Sequence, residues 1–241
     1  MKFEDKYAPQ SLAEVVFPSA AIENHILAVA SQKSSDDLLL HGSHGTGKST
    51  LAALIYKEWY GHLPMGTPAF TGPEMSTDAK ASGHLACIRN MANFNKFFGG
   101  HGLVIIDELD VVSTNAQYKL REIMQSGGRQ VQFVFTTNHP QKVYTGIRSA
   151  CRVIEFPNPT PKQWLPRAQH ILQSEGVFLP DTNVLNILAV SSGDIRQTCR
   201  LLQDTVLANL KSSAPAVPPT SLTVIVTPPQ QQVAPSAQPT P

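Results

Sequence analysis

Residues 42–49 read GSHGTGKS, one residue after the apolar run at 38–40 and directly before a stretch of helical period. The run fits G-x-x-x-x-G-K-[ST] in the strand–loop–helix context that this pattern requires. No other feature constrains the fold as tightly. Gly42, Gly45 and Gly47 let the backbone curl with its N–H groups pointing inward. Those donors join the N-terminus of the next helix in an anion cradle. Lys48 supplies a point charge for the β and γ phosphates of a nucleotide, and the Ser49 hydroxyl is a ligand for Mg²⁺. Thr46 and Thr50 complete the nucleotide-binding set, and His44 reads as a solvated loop side chain.

The rest of the chain supports a sheet around that loop. Strand-length apolar runs occur at DDLLLHG, PAF, GLVIIDE, VQFVFTT and RVIEF, with helix-period stretches at 48–59, 79–97 and 115–126 between them. The three central runs are apolar at consecutive positions, as strands buried on both faces of a parallel sheet are. The alternation predicts a three-layer α/β domain with a parallel five-stranded sheet over 1–158. From 159 to 211 the sequence reads as helices with no strand between them, a small all-helical lid. Residues 212–241 carry 8 of the 19 prolines, several glutamines and no charge. Such a tail cannot bury enough surface to fold alone and is expected to be disordered. The alternative is a tether whose run at 222–226 docks on a partner's sheet edge or groove.

Two strand ends and one helix start add chemistry. LVIIDELD, residues 103–110, carries Asp107 and Glu108 at the end of a buried strand. One carboxylate there suits Mg²⁺, and its neighbour suits the deprotonation of an attacking water. FVFTTNHP ends in Thr136, Thr137 and Asn138, where an amide can meet the water or the γ-phosphate; the competing reading is a strand end capped by turn formers. SSGDIRQ, residues 191–197, reads as a helix start with Arg196 in the first turn. The helix dipole disfavours a cation there unless it reaches an anion.

Composition excludes several classes. The net charge of +1 gives no bulk basic field, so contact with nucleic acid requires a local patch or assembly. Cys87, Cys151 and Cys199 form neither a metal spacing nor a disulfide framework. No apolar run approaches a membrane span and no signal peptide is visible, so no membrane partner is expected. The expected compartment is cytoplasmic, or nuclear in a eukaryote.

These elements, in this order, resemble AAA+ ATPases, and more narrowly the small subunits of replication factor C-type and phage clamp loaders. The likeness begins at KYAPQSLAEVV, with Lys6, Tyr7, Pro9, Leu12, Val15 and Val16 in place and Ala8 where the family has arginine. It continues through the phosphate loop, through IIDELDVVSTNAQYKLREIM with Gln117, Leu120, Arg121 and Met124, through FTTNHPQKVYTGIRSACRVIEF and through SSGDIRQTCRLLQ, spanning about 6–205. The resemblance implies ATP and Mg²⁺ as cofactors. It implies Tyr7 and Val16 along the adenine, Ser49 and Asp107 toward the metal, Glu108 as catalytic base, Lys48 on the phosphates, and Asn138 and Arg196 as the two sensors. It also implies DNA as a partner, a homo- or hetero-oligomer of AAA+ subunits, and a sliding clamp or another protein that supplies an arginine finger. The likeness stops before the C-terminal helical collar that such subunits carry.

The finger is where this sequence departs. The family segment reads I-R-S-R-C, with the second arginine acting on the neighbour's nucleotide. Here it reads Ile147, Arg148, Ser149, Ala150, Cys151. Neither Arg148 nor Arg152 is an equivalent substitute, because a shift of two residues is expected to move a side chain several Å along a strand; Arg121 is a further candidate for a contact across subunits. The implied activity is ATP hydrolysis in an oligomer on DNA, weak when the protein is alone. The alternatives are a DNA-remodelling regulator or helicase loader, and a nucleotide-bound structural subunit.

Overall fold

A computed structural model describes residues 1–61, 69–126 and 130–212. Five strands form one sheet: β1 (Leu38–His41), β2 (Ala69–Thr71), β3 (Gly102–Asp107), β4 (Val131–Thr137) and β5 (Arg152–Glu155). Their order is β2-β3-β4-β1-β5 and every pairing is parallel. The consecutive apolar runs of β1, β3 and β4 are buried along almost their whole length. The reason is that the sheet is covered on both sides. Leu39, Val104, Ile106, Phe133 and Phe135 face one apolar cluster, built with α4 (Asp78–Phe98), α5 (Thr114–Ser126) and α6 (Thr145–Ala150). Leu38, Leu40, Leu103, Ile105 and Val134 face the other, built with α2 (Ala20–Ala30) and α3 (Lys48–Tyr60). Residues alternate between the two faces as the strand period of two demands. The expected three-layer α/β architecture is therefore present.

Beyond β5, α7 (Pro161–Ser174), α8 (Asp181–Val190) and α9 (Ile195–Ser212) surround a third apolar cluster that includes Trp164, Ile171, Val184 and Leu202. Thr160 and Gln163 form a capping box that starts α7. The short N-terminal helix α1 (Phe3–Lys6) joins this lid rather than the sheet: Phe3 is buried in the lid cluster and Tyr7 and Val16 pack against it. The proline- and glutamine-rich stretch lies outside the described residues except for Ser212, which ends α9. Among the described residues no helix is long and apolar enough to cross a membrane.

Candidate nucleotide site

The loop at 42–47 leaves the C-terminal end of β1 and feeds α3. Gly47 stands at the N-cap of that helix with φ 88°, a left-handed conformation that a side chain resists. The loop is closed from inside by Lys48. This residue is 6% exposed, and its ammonium donates to the carbonyl oxygens of Gly42 at 2.9 Å and Ser43 at 2.6 Å, and to Thr46 Oγ1 at 3.3 Å. Burial lowers the Lys48 pKa; the carboxylates of Asp107 and Asp110 oppose that, and Arg196 adds to it. An ammonium held by neutral carbonyls in a desolvated loop is one that an incoming phosphate can recruit.

Ser49, one residue on, donates its hydroxyl to Asp107 Oδ1 at 2.8 Å. The two come from the start of α3 and the end of β3, so the strand order β3-β4-β1 brings them together. Both are hard oxygen donors. Among the described residues there is no cluster of three or more histidine, cysteine or acidic side chains that could hold a metal ion. That donor set fits Mg²⁺, which is typically held by one or two carboxylates together with substrate phosphates rather than by an all-protein cage. Thr136 also donates to Asp107 and accepts from the Glu108 N–H at 3.1 Å. Glu108 itself has φ 56° and ψ 50°. A left-handed glutamate costs about 1–2 kcal/mol, and this residue lines the same cavity as Asn138.

A cavity of about 570 Å³ is lined by these groups. Thr46, Gly47, Lys48, Ser49, Thr50, Asp107, Glu108, Thr136 and Asn138 form the phosphate end, and Arg196 enters from the lid. Tyr7, Val15, Val16, Phe156 and Trp164 line the remainder. Gly45 lines it as well, while Gly42 stands behind the cradle and offers its carbonyl to Lys48. All the residues singled out from the sequence for nucleotide and metal are thus brought to one place. His44 is exposed, with its ring 6.4 Å from that of His139.

Several contacts of the site are not legible in the sequence. Asp194 caps α9 through Gln197 N–H at 3.1 Å, and the Ile195 N–H donates to the Gly45 carbonyl at 3.1 Å. A Cβ on Gly45 would stand 2.5 Å from Asp194 Oδ1, so the lid rests directly on the phosphate loop. Asn158 bridges the same parts, accepting from Ser43 and donating to the Ser192 carbonyl at 2.8 Å. The adenine-side segment is tied to the lid in turn. Lys6 and Tyr7 both donate to Glu175 Oε1 at 2.6 Å, and Arg167 donates to the Tyr7 carbonyl and to Glu14. The bonds from Lys6 and Tyr7 hold the Glu175 carboxyl below its ordinary pKa, whereas burial followed by the Glu175 contact raises that of Tyr7.

The segment 147–152 corrects one expectation. Arg148 and Ala150 lie in α6, not on a strand. Two residues on a helix turn the side chain by about 200°, so Arg148 faces away from the direction of Ala150, and the shift is angular rather than along a strand. Arg148 donates to Thr145 at 3.2 Å, and its Nε is buried with no hydrogen-bond partner among the described residues. Arg152 opens β5 and acts on His25, whose pKa is lowered by burial and then by that guanidinium. Arg121 stands near Asp37 and Cys151. Arg152 and Arg121 lie at the strand-start end of the sheet: Arg152 pairs with Leu38 and Arg121 stands near Asp37, while Glu155 pairs with His41 beside the phosphate loop. Three steps of about 3.3 Å put roughly 10 Å of strand between the two ends.

Comparison with known proteins agrees with this geometry. The family model described as "ATPase family associated with various cellular activities (AAA)" matches residues 38–158. Mouse replication factor C subunit 5 is 28% identical over 211 residues, covering 85% of this chain and 60% of that protein. Replication factor C small subunit 1 of Pyrobaculum arsenaticum is 30% identical over 205 residues, covering 83% and 60%. The chain therefore spans about three fifths of the length of these relatives. Among solved structures, the Holliday junction branch migration motor RuvB of Thermotoga maritima superposes with a TM-score of 0.65 at 18% identity, over 85% of this chain and 67% of that one.

Proposed function

Since the chain belongs to the AAA ATPase family, we propose that it binds and hydrolyses Mg·ATP within an oligomer that works on DNA, in the manner of a clamp-loader subunit. The observation that carries this reading is the cavity in which Lys48, Ser49, Asp107, Glu108, Asn138 and Arg196 converge. Lys48 leaves its loop carbonyls for the β and γ phosphates. Ser49 and Asp107 would hold Mg²⁺, which would supply charge neutralisation at the phosphates. Glu108 takes the proton of the attacking water, Asn138 orients that water or the γ-phosphate, and Arg196 links the lid to the nucleotide. The likeness to replication factor C subunits supports DNA as the client and other AAA+ subunits as neighbours. A sliding clamp is the partner class this resemblance favours.

The neighbour matters because of Ala150. It ends the helix that leads into the start of β5, away from its own phosphate loop at the strand ends, and on this reading a side chain there serves another subunit's nucleotide. An arginine finger contributes on the order of 10³–10⁵ in rate. Alanine removes that contribution at every interface of a homo-oligomer, so a partner presenting an arginine completes the site.

Two substitutions test the assignment together. Lys48→Ala removes the loop's ammonium and abolishes tight Mg·ATP binding in isothermal titration. Glu108→Gln keeps affinity and stops turnover, since an amide cannot act as a base. Unchanged affinity in the first, or wild-type turnover in the second, contradicts the reading.

A further inference from the structure

Two pairs of side chains lock the end of β3 to the end of β4, one on each face of the sheet. On the face toward α3, Thr136 holds Asp107 and the Glu108 N–H. On the opposite face Thr137 Oγ1 donates to Asp110 Oδ1 at 2.7 Å and accepts from the His139 N–H at 3.0 Å. The same Asp110 oxygen lies 3.4 Å from the Asn138 nitrogen, which donates to it. Consecutive strand residues point to opposite faces, so adjacent threonines can grip both. Asp110 reaches the far face because the chain reverses at Glu108, φ 56°, into the one-turn helix Leu109–Val111. Thr137 is fully buried, so water cannot replace Asp110 as the acceptor for its hydroxyl. Asp110 is absent from the cavity lining to which Glu108 and Asn138 belong.

We propose that Asp110 is a positioning residue: by holding Thr137 and the Asn138 backbone it sets where Asn138 stands relative to Glu108, and so how fast bound nucleotide is hydrolysed. It does this without touching the nucleotide. The inference rests on the reading of Glu108 as base and Asn138 as the γ-phosphate contact. A misplacement of about 1 Å at such a site costs on the order of 10²-fold in rate. Asp110 and Glu108 share one tight turn, so a loosened rung moves the base and the amide apart while the phosphate loop stays in place.

The experiment compares Asp110→Ala, Asp110→Asn, Thr137→Val and Asn138→Ala in the full chain, reading Mg·ATP affinity by titration and hydrolysis by single-turnover phosphate release, which resolves slow rates. Asp110→Ala is expected to slow hydrolysis at least tenfold with affinity changed less than twofold. Thr137→Val, which removes the donor, is expected to move in the same direction. Asp110→Asn keeps an oxygen acceptor and is expected to restore the rate to within about threefold of wild type. Wild-type hydrolysis in Asp110→Ala, or in Thr137→Val where the alanine variant does not fold, overturns the proposal. So does an asparagine variant as slow as the alanine one, because charge rather than position then matters, and so does a loss of affinity in step with the rate. Asn138→Ala separates the two levels: if it is slow while Asp110→Ala is fast, positioning by Asp110 alone is wrong. If Asn138→Ala hydrolyses at the wild-type rate, the assignment of Asn138 fails and the proposal with it.

Discussion

Asp37, just before β1, is a carboxylate that the fold holds out of water. Its Oδ1 accepts the Phe133 N–H at 2.8 Å, and its main-chain carbonyl accepts Arg152 N–H at 2.7 Å. Burial pushes its pKa from 3.8 to about 6, against the pull of the Phe133 N–H and the Arg121 charge. Between those two values the folded protein keeps a proton that the unfolded chain has lost. Stability therefore falls as pH rises through that window and is flat above it with respect to this group. A shift of roughly two units corresponds to about 3 kcal/mol, an order-of-magnitude figure. Asp37→Asn keeps the acceptor oxygen and removes the charge. Its urea midpoint is expected to match or exceed that of the wild type at pH 7.5, with a shallower dependence between pH 4 and 6. An unchanged slope would mean that another group titrates there.

At the scale of elements, the contact between lid and phosphate loop is the feature most open to test. The α9 N-terminus is held by the Gly45 carbonyl, Asp194 stands over the Gly45 Cα, and Asn158 ties Ser43 to Ser192. Gly45→Ala puts a methyl where the Asp194 carboxylate is, at a residue with φ 76°. The expected result is a lid displaced from the loop: amides at the start of α9 exchange hydrogen faster, by tenfold or more, and ATP no longer slows them. Wild-type exchange with and without ATP would show that the contact is dispensable. None of this is written locally in the sequence. Asp194 is legible as a cap and Arg196 as a cation in a first turn, but which loop they meet depends on the path of the chain from β5 to α7. Asn158 sits in PNPTP, where it reads as a turn former. The packing of α1 on the lid is equally non-local, since four residues carry too little periodicity to say which surface they join.

For the whole molecule, the sheet and the conformation of the loop at 42–47 are legible because both are local signals. Continuous apolar runs mark strands buried on both faces, and the loop motif needs only its own eight residues. Asp107 and Glu108 followed from their place at the end of one such run. What escaped were the parts fixed by register and handedness. Asp110 becomes part of the β4 rung only through the left-handed turn at Glu108, and 145–150 is too short and too mixed in polarity to show its helical course before β5. That helix ends at Ala150, two residues before Arg152, and Arg152 lies roughly 10 Å along β5 from Glu155, which pairs with His41 beside the loop. On the proposed reading the end of α6 serves a neighbour, and alanine there leaves that contribution empty.

Restoring it is the direct test. Steady-state phosphate release is measured against protein concentration for wild type and for Ala150→Arg. The wild type is expected to hydrolyse ATP slowly at every concentration. Ala150→Arg is expected to match it at high dilution and to accelerate, by tenfold or more, as the concentration rises into the range where subunits assemble, because a guanidinium in trans acts only on a neighbour. Fast hydrolysis by the wild type that does not depend on concentration would show that each site completes itself, and would contradict an active site shared between subunits.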